Sequence, residues 1–178
     1  RILRREIQLL GYSNDFVIYD QDDSRALVKK VIGDLQLDEK SFVPKAVQAQ
    51  ISNAKNKMIS HELMAATVEG FIDEKISAIY TQYQKSLKVN NALDFDDLLL
   101  KPLDLFRDNP SRLEYYQNKY QYVLVDEYQD TNKPQFEFVH ALSQEHRDVC
   151  VVGDDDQSIY SWRGADVNNI LNFSDTFG

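Results

Sequence analysis

Tyr122-Val123-Leu124-Val125-Asp126-Glu127-Tyr128-Gln129-Asp130 is an apolar run that ends abruptly in two adjacent carboxylates. The pattern recurs downstream, where Val149-Cys150-Val151-Val152-Gly153 runs into Asp154-Asp155-Asp156-Gln157. Short, β-branched, near-continuous apolar runs are the signature of strands buried on both faces. Both stretches are therefore expected to be buried strands, with Cys150 a small core residue. Between them, Asn132-Lys133-Pro134-Gln135 has the chemistry of a helix start: Asn132 as N-cap, proline in the first turn and Gln135 at the capping-box position. Phe136, Val139 and Leu142 follow at helical spacing. Strand, helix and strand over this length make one βαβ unit with parallel strands. Parallel strands place their carboxyl ends on one edge of the sheet, the edge at which open α/β sheets bind ligands. Two acidic clusters on one rim suit a divalent cation and its phosphate ligand.

The 178 residues are 43% hydrophobic and 28% charged, the balance of an ordinary soluble domain with one sizeable core or two small ones. There is no apolar stretch of membrane-spanning length and no signal-peptide pattern at the start. Cys150 is the only cysteine, which excludes an internal disulfide and a cysteine-based zinc site and fits a reducing, cytoplasmic setting. A net charge of −9 argues at face value against nucleic acid as a partner. The distribution of that charge weakens the objection. Residues 1–93 carry 13 Lys+Arg against 12 Asp+Glu, whereas residues 94–178 carry 7 against 17. The acidity belongs to the half that holds the carboxylate clusters, and a metal site and a solvated acidic surface both account for it.

The rest of the chain reads as helical up to Asn90-Asn91. Arg1-Ile2-Leu3-Arg4-Arg5-Glu6-Ile7 has the pattern of a helix interior with no cap before it, as in a piece of a longer polypeptide, and Gly11 is placed to end that helix. Phe16-Val17-Ile18-Tyr19 is a short extended stretch. Asp22-Asp23-Ser24 offers N-caps to a helix with Leu27, Val28, Val31, Ile32 and Leu35 on its apolar face. Pro44 opens a further helix that runs to about Met58. The longest helix is predicted over residues 60–88, with a stripe of Leu63, Val68, Phe71, Ile72, Ile76, Ile79, Tyr80, Tyr83 and Leu87 that reads as core. From residue 92 the chain turns α/β. Leu93-Asp94-Phe95-Asp96-Asp97-Leu98-Leu99-Leu100 reads as a helix start whose acids cap it and favour its first turn. A short helix is expected near Asp166–Phe173.

Two long stretches carry a family resemblance. Asp126-Glu127-Tyr128-Gln129-Asp130-Thr131-Asn132 and Val152-Gly153-Asp154-Asp155-Asp156-Gln157-Ser158-Ile159-Tyr160-Ser161-Trp162-Arg163-Gly164-Ala165-Asp166 resemble motifs II and III of the UvrD/PcrA/Rep family of superfamily 1 DNA helicases. Asn91-Ala92-Leu93-Asp94-Phe95-Asp96-Asp97-Leu98-Leu99, Leu10-Gly11-Tyr12 and Tyr19-Asp20-Gln21-Asp22 are also similar to that family. The resemblance covers essentially the whole chain. In the family, a helical insertion called 1B interrupts the first motor domain, 1A. The implied fold class is α/β: an all-helical, 1B-like subdomain over residues 1–91, then residues 92–178 as the later part of a parallel-sheet, RecA-like P-loop NTPase domain.

The resemblance also implies chemistry. ATP hydrolysis needs a cation to neutralise phosphate charge, a group to orient or deprotonate water, and a sensor for the γ-phosphate. It assigns Asp126 to the Mg2+ shell, Glu127 to the general base, and Gln157 to contact with the γ-phosphate of ATP. The bland reading of Asp126 and Glu127 is a helix-capping acid pair, and that of Gln157 a satisfied loop amide. Tyr160 and Trp162 would stack on unpaired bases of single-stranded DNA without reading sequence. For Tyr160, core packing is the rival reading. Arg163 either meets phosphate or DNA, or pairs with a nearby acid. Asp154, Asp155 and Asp156 would shape the loop.

The Gly-x-x-x-x-Gly-Lys-[Ser/Thr] phosphate loop does not occur: the glycines are 11, 33, 70, 153, 164 and 178, and none precedes Lys-Ser/Thr at that spacing. The implied parent is a bacterial, cytoplasmic, nucleoid-associated 3′–5′ helicase acting on single-stranded DNA and single/double-strand junctions in repair or replication. Its Walker A part of 1A and its domains 2A and 2B would be the partners of these residues, with no membrane involved. Alone, the 178 residues are expected to turn over no ATP. The competing classes are a non-catalytic interaction module and a metal-dependent nuclease built on the Asp-rich rim.

Overall fold

The strand–helix–strand unit forms as the sequence requires. A computed structural model describes residues 1–158, 164–166, 168–173 and 177. Strands β3 (Val123–Val125) and β4 (Val149–Val151) pair in parallel, with Val123 opposite Val149, Leu124 opposite Cys150 and Val125 opposite Val151. Helix α8 (Lys133–Ser143) connects them. Its start is the predicted one: Asn132 Oδ1 accepts the Gln135 N–H at 3.0 Å, and Gln135 Oε1 accepts the Asn132 N–H at 3.0 Å. These reciprocal bonds satisfy two of the backbone donors that a helix N-terminus leaves over.

Burial on both faces of the strands does not hold. Side chains alternate across a strand, and α8 packs against β3. Val123, Val125, Val149 and Val151 are half-buried, but Leu124 is 72% exposed and Cys150, its partner in register, is exposed as well. Cys150 is thus a surface thiol rather than a core residue, because among the described residues no second layer covers that face.

The chain forms two compact units, Arg1–Leu98 and Leu99–Gly178. In the first, α1 (Ile2–Glu6) tightens into a 3-10 turn, Ile7–Leu10, that ends at Gly11 in the left-handed region. Strand β1 (Val17–Ile18) pairs in parallel with β2 (Ala92–Leu93). Helix α2 (Gln21–Asp34) is capped earlier than Asp22-Asp23-Ser24 would place it. Asp20 Oδ1 accepts from the Asp22 and Asp23 N–H groups, and Asp23 returns a bond to the Asp20 N–H. Leu27, Val28, Val31 and Ile32 of α2 pack with Val47, Ile51 and Ala54 of α3 (Pro44–Asn56).

The single long helix predicted over 60–88 is two: α4 (His61–Thr67) and α5 (Phe71–Val89). Val68 is extended and Gly70 has φ +99°, a backbone state almost closed to other residues. The break turns part of the stripe outward. Ile76, Ile79, Tyr80, Tyr83 and Leu87 are core, while Leu63, Phe71 and Ile72 are at least half exposed.

The acids at 94–97 do more than cap. Asp94 Oδ1 accepts the Asp97 N–H at 2.9 Å, as a cap should. Its other oxygen lies 2.6 Å from Lys55 Nζ and accepts the Tyr83 hydroxyl at 2.9 Å. Asp97 Oδ1 is 2.9 Å from the same ammonium, and Lys55 is fully buried. Burial alone would push Lys55 down, but Asp97 and Asp94 outweigh it and hold its pKa above the ordinary lysine value.

In the second unit, α6 (Asp97–Asp108, whose first turn belongs to the first unit) and α7 (Pro110–Lys119) supply Leu105, Phe106 and Tyr116 to the core. Phe106 stacks on Phe138 of α8 at 6.0 Å between ring centres, and Gln117 Nε2 donates to Ala141 O at 2.8 Å. Among the described residues, no helix is long and apolar enough to cross a membrane.

Candidate functional site

The carboxyl ends of β3 and β4 meet at one rim. The Val152 N–H donates to Val125 O at 2.8 Å, and the Tyr128 N–H donates to Val152 O at 3.0 Å, so the ladder extends past both strands into the acidic segments. Tyr128 is fully buried, with its ring edge-on to Phe173 at 5.8 Å. Burial pushes its phenol up. This anchor leaves the two preceding carboxylates, Asp126 and Glu127, at the surface.

Glu127 is held at φ +51° and ψ +42°, a left-handed conformation uncommon for a residue with a Cβ. Here it turns the chain out of the strand and into a 3-10 turn, Tyr128–Asp130. Such strain persists where surrounding structure over-determines it, and it clusters at functional sites. The bonds that impose it are local. Asp126 Oδ1 accepts the Glu127 N–H at 2.9 Å, the Asp130 N–H donates to Glu127 O at 2.9 Å, and Thr131 Oγ1 donates to Tyr128 O at 2.7 Å.

Gln157 lies in a 3-10 turn, Asp155–Gln157, and is exposed. Its Nε2 donates to Asp154 Oδ2 at 2.6 Å, and Asp154 Oδ1 accepts the Asp156 N–H at 3.1 Å. Asp154 therefore shapes its own loop. Gln129 joins the two acidic segments. It is 1% exposed, its Nε2 donates to Glu127 Oε2 at 2.7 Å, and its Oε1 accepts the Asp154 N–H at 3.0 Å. The structure thus brings Asp126, Glu127 and Gln157 to one rim. It also adds Gln129, which motif reading passes over. No spacing rule marks that residue.

Tyr160, Trp162 and Arg163 lie outside the described residues. The described residues on both sides of this stretch are tied to the first acidic segment. Ser158 Oγ donates to Gln129 O at 3.5 Å before it, and after it the Asp166 N–H donates to Thr131 O at 3.1 Å. Ala165 also forms an antiparallel bridge with Asn132, and Asn169 Nδ2 donates to Thr131 O at 3.0 Å. The short helix expected near Asp166–Phe173 is α9 (Asn168–Leu171).

Among the described residues there is no cluster of three or more His, Cys, Asp or Glu able to enclose a metal ion. Asp126 offers a single exposed carboxylate beside an open rim. That donor set fits Mg2+, which is commonly held by one or two carboxylates together with substrate phosphates rather than by an all-protein cage.

Comparison with known proteins decides the family. The model of the UvrD/REP helicase N-terminal domain matches residues 1–178. The chain belongs to the UvrD/REP helicase family. It is 45% identical over 173 residues to the ATP-dependent DNA helicase PcrA of Bacillus subtilis (strain 168), which covers 97% of this chain and 23% of that protein. It is 44% identical over 177 residues to the PcrA of Staphylococcus epidermidis (strain RP62A), covering 99% of the chain and 24% of the relative. The PcrA of Leuconostoc citreum is 45% identical over 173 residues, 97% of the chain and 23% of the relative. The chain spans about a quarter of the length of these UvrD/REP relatives. The rim with its two acidic segments belongs to the matched region throughout.

Proposed function

We propose that these residues are part of an ATP-driven DNA helicase that moves 3′ to 5′ on single-stranded DNA and opens duplex ahead of it, in DNA repair or replication. Residues 1–91 are the 1B-like subdomain and residues 92–178 the later part of the 1A-like motor domain. The observation that carries the reading is the rim itself. Asp126 and Glu127 stand at the end of β3, bonded through Gln129 to the Asp154 loop that holds Gln157, in a chain that matches the family from end to end. The relatives' names, ATP-dependent DNA helicase, agree with it.

In this reading Asp126 holds Mg2+, which when bound neutralises phosphate charge. Glu127 takes the proton of the attacking water, with its carboxylate presented from a strained turn that cannot easily swing away. Gln157 meets the γ-phosphate through an uncharged donor and acceptor. Tyr160, Trp162 and Arg163 engage the DNA strand, and the described residues on either side of them are bonded to the segment carrying the base. The exposed sheet face at Leu124 and Cys150 is covered by other parts of the motor.

The test is DNA-stimulated ATP hydrolysis by the full-length polypeptide that contains these residues. Glu127→Gln is expected to lower kcat by about 10²–10⁴-fold, the usual contribution of general-base catalysis. Unchanged turnover in that variant sinks the assignment. Strand displacement from duplexes carrying a 3′ or a 5′ tail reads the direction, and unwinding only from the 5′ tail overturns it. The isolated 178 residues are expected to hydrolyse no ATP, with or without DNA.

A further inference from the structure

The buried side-chain amide of Gln129 bonds to both acidic segments, to Glu127 in one and to Asp154 in the other. Its orientation is fixed by chemistry. The Asp154 N–H can only donate, so the atom 3.0 Å from it is Oε1, and Nε2 must face the Glu127 carboxylate at 2.7 Å. Both bonds are made by a side chain almost wholly removed from water. There, leaving either group unpaired carries the full desolvation penalty.

The seat of this amide is built by a second residue. A Cβ placed on Gly153 would lie 2.5 Å from Gln129 Oε1 and 2.9 Å from Ile170 Cδ1. No side chain fits at position 153 while the amide stays where it is. The glycine just past β4 is therefore the counterpart of the glutamine in the turn that follows β3.

We propose that Gln129 is a positioning residue for hydrolysis: its amide fixes the Glu127 carboxylate on one side and the Asp154 loop, which carries Gln157, on the other. The assignment rests on the reading of Glu127 as the base. In this role Gln129 acts through Glu127, to which its amide donates. Through Asp154, it also makes the position of the base answer to the loop that holds Gln157.

The experiment is steady-state, DNA-stimulated ATPase of the full-length polypeptide with Gln129→Glu and Gly153→Ala, beside wild type and Glu127→Gln. Gln129→Glu keeps an acceptor for the Asp154 N–H but replaces the donor facing Glu127 with a like charge. Gly153→Ala leaves Gln129 intact and evicts its amide. Both are expected to lower kcat about 10-fold or more through misplacement of the base, with KM for ATP within about twofold of wild type. Thermal melts confirm that each variant is folded. If Gln129→Glu does not fold, Gly153→Ala carries the same test with the same thresholds. A kcat within about twofold of wild type in the folded variants, or a KM that rises in step with the loss of kcat, overturns the positioning role. Inactive wild type, or a Glu127→Gln variant as active as wild type, instead overturns the underlying reading. That failure is read at position 127 and not at 129.

Discussion

Lys55 Nζ lies 2.6 Å from Asp94 Oδ2, a charge pair joining the end of α3 to the segment between β2 and α6. The ammonium is fully buried, and Asp97 and Tyr83 complete its surroundings. Removing one member of a buried ion pair leaves the other charge without its partner, which typically costs roughly 3–5 kcal/mol. Lys55→Met keeps the unbranched stem, one atom shorter, and removes the charge. It is expected to destabilise the first unit by roughly that amount, measured by urea unfolding of the 178-residue chain. A loss below about 1 kcal/mol, the scale of an exposed pair, contradicts this account.

Asp96 flanks the same network, accepting from Asn56 Nδ2 at 3.2 Å. Burial, and then the neighbouring Asp94, push its carboxyl above the ordinary value of 3.8. The folded state thus holds this proton more tightly than the unfolded chain does. The contribution of Asp96 to stability is complete below the unfolded value and is lost as pH rises through the raised folded value. Asp96→Asn removes the titration and keeps an acceptor for Asn56. It is expected to melt higher than wild type at neutral pH, with the difference fading as pH falls through the raised folded value and gone below 3.8. A difference independent of pH would show that the charge is not the cause.

The sequence declared some features through local chemistry and hid others that depend on distant partners. The βαβ unit was legible because the strand patterns, the Asn132–Gln135 capping box and the proline at the start of α8 all act within a few residues. Lys55 was not, although a signal existed: it follows Val47 and Ile51 at four-residue spacing, on the buried stripe of α3. A lysine on that stripe must find an anion inside, and the three aspartates at 94–97 were the available ones. Gln129 had no such signal, because its role depends on the close approach of Gly153 across the sheet. Leu124 and Cys150 looked like core because pattern reports hydrophobicity, not whether a layer is present to cover it.

The division of α4 from α5 rests on Gly70. At φ +99° and ψ 160° the backbone occupies a region that is essentially glycine-only, and nothing lies within 4 Å of where a Cβ would stand. The cost of Gly70→Ala is therefore conformational rather than steric against neighbours. It is expected to destabilise the chain by about 1–3 kcal/mol in chemical denaturation. A neutral effect would mean that residues 60–88 adopt the continuous helix their periodicity favours.

Cys150 reports on the open face of the β3–β4 sheet. Its neighbour in register, Leu124, is 72% exposed, and the thiol is exposed with it. In the 178-residue chain a disulfide-exchange reagent is expected to titrate Cys150 completely without denaturant, since access is one of the controls on thiol reactivity. In the full-length polypeptide the same thiol is expected to react slowly, since the proposal has further motor elements covering that face. The two measurements separate two ideas. A thiol protected in the 178-residue chain contradicts the open face itself. A thiol equally reactive in both leaves the open face intact and removes the proposal that further layers of the motor pack against it.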